Sequence, residues 1–173
     1  MAEADDDELI FAPVNWGIVP APILNLMQIF VAKIAASENR LTGLDWAKDV
    51  VPSDASPFFI EMLAASQAAI DAATDLRALT TAYAQNTHQP RPTLARLAEA
   101  QKSSSAGLVK RYTPNTVDAI AELLSETPDP GVVVRAFRSV KLAELAACSP
   151  AMEREVSRVR NQPSNRREIT TST

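Results

Sequence analysis

The sequence predicts an all-α fold: a single helical-bundle domain of about five to seven helices with flexible N- and C-terminal arms. Three observations predict it. Apolar residues recur at three- and four-residue spacing over long stretches, and no segment keeps the two-residue alternation of a half-buried strand. Alanine dominates an apolar content of 46%. Aromatic residues make up 5% and glycines number 4 among 173 residues, a composition far from that of a β-sandwich and a length suited to one core.

Residues 1–19 form an arm. Its acidic run Glu3, Asp5, Asp6, Asp7, Glu8 stands where a secretion signal would carry positive charge. Leu9, Ile10, Phe11 and Trp16 then make an extended apolar strap with few local partners, so they are assigned to a groove on a neighbouring subunit.

The core domain spans 20–160. Pro20 and Pro22 suit the first turn of a helix in which Ile23, Leu24, Leu26, Met27, Phe30, Val31 and Ile34 bury on most sides, and Ser37-Glu38-Asn39 ends it. The run 23–34 falls short of the roughly 18–20 apolar residues of a membrane span and contains Asn25, Gln28 and Lys33, so no membrane partner is expected. A short helix at 44–51 precedes Pro52.

Ser56 as cap and Pro57 at the first position open the longest helix, which runs to about Asn86. Ile60, Leu63, Ala64, Gln67, Ile70, Ala73, Leu76, Leu79 and Tyr83 mark its expected buried face, with alanine between them allowing close helix approach. Pro90 and Pro92 make 88–92 a loop, and Thr93 caps the next helix. That helix breaks at 103–107, and Thr113-Pro114 starts an amphipathic helix carrying Val117, Ile120, Leu123 and Leu124. Pro128-Asp129-Pro130-Gly131 reads as a turn, 132–148 as one helix, and Ser149-Pro150 as the start of a last helix to about Arg160. Residues 161–173 are a basic, polar tail.

Charge is divided by position. Residues 1–90 hold 4 Lys and Arg against 12 Asp and Glu, and residues 91–173 hold 13 against 9, so a net charge of −4 conceals a basic second half. Such a half suits an anionic partner such as a nucleic-acid backbone, while the acidic half faces solvent or the next copy of the chain.

Few groups offer chemistry. One cysteine, Cys148, and one histidine, His88, fall short of the four ligands a structural zinc takes, so no metal site is expected. Gly17, Gly43, Gly107 and Gly131 are isolated, which excludes a phosphate loop and a dinucleotide fingerprint, and no cofactor is expected. His88 reads as a surface residue, Cys148 as a small buried hydrophobe, and Asp71 with Asp75 as solvated helix surface. No catalytic residue is assigned, and neither an enzymatic activity nor a small-molecule substrate is expected.

A basic and polar constellation remains. Lys102, Ser103, Ser104 and Ser105 lie close in sequence to Lys110, Arg111 and Tyr112, so cations, hydroxyls and backbone amides can converge on phosphate while the Tyr112 ring offers a stacking surface. Arg158 and Arg160 add positive charge beside the tail. These nine residues are the expected RNA-binding set. A helix break with solvated basic residues is the simpler alternative.

Short collinear segments then resemble the coat proteins of flexuous filamentous plant viruses of the potexvirus and carlavirus kind. They are Val19-Pro20-Ala21-Pro22 opening an apolar helix, Leu94-Ala95-Arg96-Leu97-Ala98 followed by Lys102-Ser103-Ser104-Ser105, Leu108-Val109-Lys110-Arg111-Tyr112-Thr113-Pro114, Lys141-Leu142-Ala143-Glu144, Pro150-Ala151-Met152 and Arg160-Asn161-Gln162-Pro163-Ser164 with Arg167-Glu168. Leu145-Ala146-Ala147-Cys148 replaces that family's Phe-Asp-Phe-Phe block, leaving Glu144 as the nearest acid to stand in for the one missing near its arginine. The resemblance implies a non-enzymatic subunit, a homo-oligomer that polymerises head-to-tail as a filament around single-stranded RNA, in virions and the host cytoplasm. Ser103 to Ser105 and Arg111 would then meet the RNA backbone. The reading from another class is a helical protein–protein adaptor or regulator without nucleic acid.

Overall fold

The computed structural model describes residues 17–44 and 56–161, and among these it is all helical, with no strand. Seven α-helices follow in order: α1 Ala21–Thr42, α2 Ser56–Asn86, α3 Leu94–Ala100, α4 Ser105–Leu108, α5 Pro114–Leu123, α6 Pro130–Ala136 and α7 Pro150–Asn161, with 3-10 segments at Val109–Arg111 and Leu142–Ala147. The strap residues Leu9, Ile10, Phe11 and Trp16, the tail beyond Asn161 and most of the expected 44–51 helix lie outside the described residues.

Helix α1 starts where the prolines place it, but it runs one turn past the expected end. Ser37 is buried, and the Arg40 guanidinium is held by Glu61 of α2, with Nε donating over 2.8 Å, so the last turn has partners of its own. Burial follows one stripe, Ile23, Leu26 and Phe30, rather than most sides; Leu24 and Val31 stay exposed.

Helices α1 and α2 pack along each other in the most extensive helix contact of the fold. The buried residues of α2 are Ala65, Ala72, Asp75, Leu79, Thr81, Ala82, Tyr83 and Ala84. Ile60, Leu63 and Ile70, expected on the buried face, are 66%, 71% and 58% exposed. The physical reason is size: alanines seven residues apart share one side of the helix and let α1 come close, which the larger side chains would prevent.

One core is formed by Ile23, Leu26 and Phe30 of α1 with Leu79 and Tyr83 of α2, Ile120 and Leu123 of α5, Val133 of α6, and Phe137, Leu145, Cys148, Met152 and Val156 beyond it. Phe30 and Phe137 meet with ring centroids 5.4 Å apart. Helices α3 and α4 pack on each other and are tied to α2 by polar contacts: Gln101 Nε2 donates to Thr81 Oγ1 and the Tyr112 hydroxyl to Gln85 Oε1, each at 2.8 Å.

The expected helix at 132–148 is two elements. Asp129 caps α6 by accepting the Gly131 N–H at 2.7 Å, yet the helix stops at Ala136 because Phe137 turns extended to enter the core. The chain then passes Ser139, whose N–H and hydroxyl both donate to one oxygen of the buried Asp75 carboxylate at 2.7 Å, before the 3-10 segment begins. Ser149 Oγ accepts from Met152 N at 3.1 Å and starts α7 as expected.

Asp75→Ala removes both hydrogen bonds of the half-buried Ser139 to a charged acceptor, and urea denaturation should show a loss of about 2–3 kcal/mol. Ser139→Ala removes one of the two bonds and should cost about 1 kcal/mol in the same assay.

Candidate nucleic-acid interface

The break between α3 and α4 is built as a tight turn. Lys102 sits in the left-handed region with φ 47°, and Ser104 caps α4 by accepting the Gly107 N–H at 3.0 Å. A Cβ at Gly107 would lie 2.5 Å from Ser103 Oγ, so a larger residue there requires only that the Ser103 hydroxyl turn aside. Lys102, Ser104, Ser105 and Lys110 are exposed, and Ser103, Arg111 and Tyr112 are half-buried.

Arg111 lines a cavity of about 370 Å³ between α2, the start of α5 and the end of α6. Tyr112, Thr113, Thr116 and Arg138 join it there, with Asp71, Thr74 and Asp75 forming the α2 wall. Neither Arg111 nor Arg138 has an ion-pair partner among the described residues. The carboxylates are already engaged, Asp75 by Ser139 and Asp71 by the Gln67 amide at 2.8 Å.

Two guanidinium groups beside hydroxyls in an open cleft suit a phosphate, which arginine binds through its fork of donors. The Tyr112 ring is committed on one side to the core and its hydroxyl to Gln85, so only part of it remains for stacking.

The sequence-predicted set is therefore divided. Arg111 and Tyr112 share the cavity, whereas Lys102, Ser103, Ser104, Ser105 and Lys110 do not line it. Arg158 is paired with Glu155 at 3.4 Å, and Arg160 is exposed near the end of α7, a helix that packs on Leu142–Ala147 and α6. Arg138 was missed. The signal available for it was the three-residue spacing of Arg135, Arg138 and Lys141, obscured by the expectation of a continuous helix there.

Other expectations change as well. Glu144 does not face Arg111: it accepts from Lys33 Nζ at 2.6 Å and from the Lys141 N–H at 2.7 Å. Burial pushes its carboxyl up, but those hydrogen bonds and the two lysine charges outweigh it and hold the group below its usual range. His88 is buried, its Nδ1 3.4 Å from the Tyr83 hydroxyl, and burial raises the Tyr83 phenol. Asp75 is buried rather than solvated. Cys148 is buried as expected, with its thiol pushed up to about 11 by burial.

Among the described residues no group of three His, Cys, Asp or Glu side chains is placed to hold a metal ion, and no helix is long and apolar enough to cross a membrane. Comparison with family models, with curated proteins and with solved structures gave no match.

Cys148 should be inert to an aromatic disulfide reagent at pH 8 in the folded protein and titrate as one thiol per chain in guanidinium chloride, because the reactive thiolate is suppressed by burial. For Glu144 the lowered folded pKa means that its contribution to stability is complete above its unfolded value, about pH 4.3, and is lost as pH falls through the folded value. The stability gap between the protein and its Glu144→Gln variant should therefore be present at neutral pH and shrink as pH falls below the ordinary glutamate range, as read by thermal unfolding.

Proposed function

We propose that the chain is a structural, RNA-packaging coat subunit that polymerises head-to-tail with its own copies into a helical nucleocapsid around single-stranded RNA. The observation that carries this reading is the open cavity that Arg111 and Arg138 line with threonine hydroxyls, where Asp71 and Asp75 of the α2 wall are bonded to neutral groups and neither arginine forms an ion pair among the described residues. Phosphate contacts of this kind hold a strand without reading its bases, as packaging requires. The collinear resemblance to flexuous-virus coat proteins points the same way, and the virion location comes with it.

A second reading is favoured by a different observation. Phe59, Ile60, Leu63 and Ile70 expose an uncharged apolar face on the first half of α2, which suits a protein partner whether or not RNA is present. A helical adaptor would use that face alone.

Salt separates the two. Fluorescence anisotropy with a labelled oligouridylate should show binding at low ionic strength that weakens steeply as salt rises, with a slope of about −0.7 per neutralised phosphate. Arg111→Ala should weaken it about tenfold with thermal stability little changed, and Arg111→Lys should restore part of the loss. An unaltered protein that fails to bind in low salt favours the adaptor, and filaments seen by negative-stain electron microscopy only when RNA is added favour the coat subunit.

A further inference from the structure

A second cavity of about 370 Å³ lies beside the first. It is lined by Lys33, Ser37 and Arg40 of α1, by Ala68 and Asp71 of α2, and by Ser139 and Lys141 from the stretch after α6. The two cavities meet at Asp71, which lines both, and at the hydrogen-bonded pair of Asp75, in the first, and Ser139, in the second. Together they form a groove along one side of α2, with Arg111 and Arg138 at one end and Lys141, Lys33 and Arg40 at the other. Lys33 and Arg40 are each matched by a glutamate, but Arg111, Arg138 and Lys141 form no ion pair among the described residues. With Lys33 and Arg40 neutralised by Glu144 and Glu61, three cations stand against Asp71 and Asp75, so the groove carries one positive charge in excess beside a helix whose own net charge is negative.

We propose that a single RNA strand runs the length of this groove, its phosphates held by Arg111 and Arg138 in the first cavity and by Lys141 in the second, passing over Ser139. The proposal rests on the RNA-binding reading above and moves the path away from Lys102, Lys110 and α7, where the sequence placed it. Neither acid on the path is bound by a cation, and Asp75 is the buried one, held by Ser139; the half-buried group that the strand must cross is Asp71, whose hydrogen bond comes from the neutral Gln67 amide. Its repulsion sets a negative contribution at a known point of the path, which gives the proposal a signature of opposite sign.

The experiment uses the full chain and a labelled oligouridylate in a salt series. Arg138→Gln and Lys141→Gln, both at exposed positions, should each weaken binding about tenfold and lower the salt slope by about 0.7. Arg154→Gln, exposed on α7 and outside the groove, should change it much less. Asp71→Asn should tighten binding several-fold, and more than the same loss of charge at exposed Glu99→Gln. If Arg138→Gln and Lys141→Gln behave like Arg154→Gln while Arg111→Ala is weakened, the path is wrong and the RNA reading stands. If Asp71→Asn and Glu99→Gln give equal effects, net charge and not position governs binding, and the groove is rejected. A protein that does not bind RNA in low salt overturns both.

Discussion

The interaction on which the site depends is the capture of Ser139 by the Asp75 carboxylate. A charged group inside a helical core is costly unless its lone pairs are filled, and here one oxygen takes both the N–H and the hydroxyl of a residue 64 positions away. The bond fixes the stretch between α6 and the 3-10 segment against the middle of α2. Arg138 and Lys141 sit on either side of that anchor and each lines a cavity on its own side of Asp71. Without the anchor the backbone at Ser139 has no other hydrogen bond to α2 among the described residues, and the two cations lose their common wall.

The same stretch shows why sequence pattern reached the elements better than their pairing. The start and end of α2, the Thr93 cap and the start of α7 are local events, set by proline, serine and threonine at helix ends, and the sequence carries them openly, whereas the break expected at 103–107 falls at 101–104 because Ser104 caps α4 and brings 105–107 into it. The end of α6 is not local. Residues 132–148 have helical spacing, but Phe137 turns extended and is buried against Phe30, a contact with a residue more than 100 positions away that the local pattern does not carry. The buried side of α2 failed for a related reason: hydrophobicity ranks Ile60, Leu63 and Ile70 above Ala65 and Ala72, whereas close packing against α1 selects for the absence of volume.

The candidate site was legible by residue type and not by position. Arg111 and Tyr112 were found because basic and aromatic residues adjoin a helix break, and they do line the cavity. Lys102 and the serines share that sequence neighbourhood, but they do not line the cavity, and Ser104 caps α4, the turn chemistry that makes serines frequent at helix breaks. Arg138 lies 27 positions from Arg111, and only the fold brings them together.

Helix α2 then shows how one element can serve packing, an anionic ligand and a protein contact at once. With about 100° of rotation per residue, Ala65, Ala72 and Leu79 define one side, and Phe59, Leu63 and Ile70 fall nearly opposite. Asp71, Thr74 and Ala78, which line the first cavity, fall between these two sides. On the proposed reading, a strand lying in the groove leaves the apolar side of the same helix uncovered, so RNA and a neighbouring subunit do not compete for surface. The arrangement also sets an order of strengths. Contacts through the apolar side are insensitive to salt and those through the groove are weakened by it, so rising ionic strength should release RNA from subunits before it separates the subunits from one another.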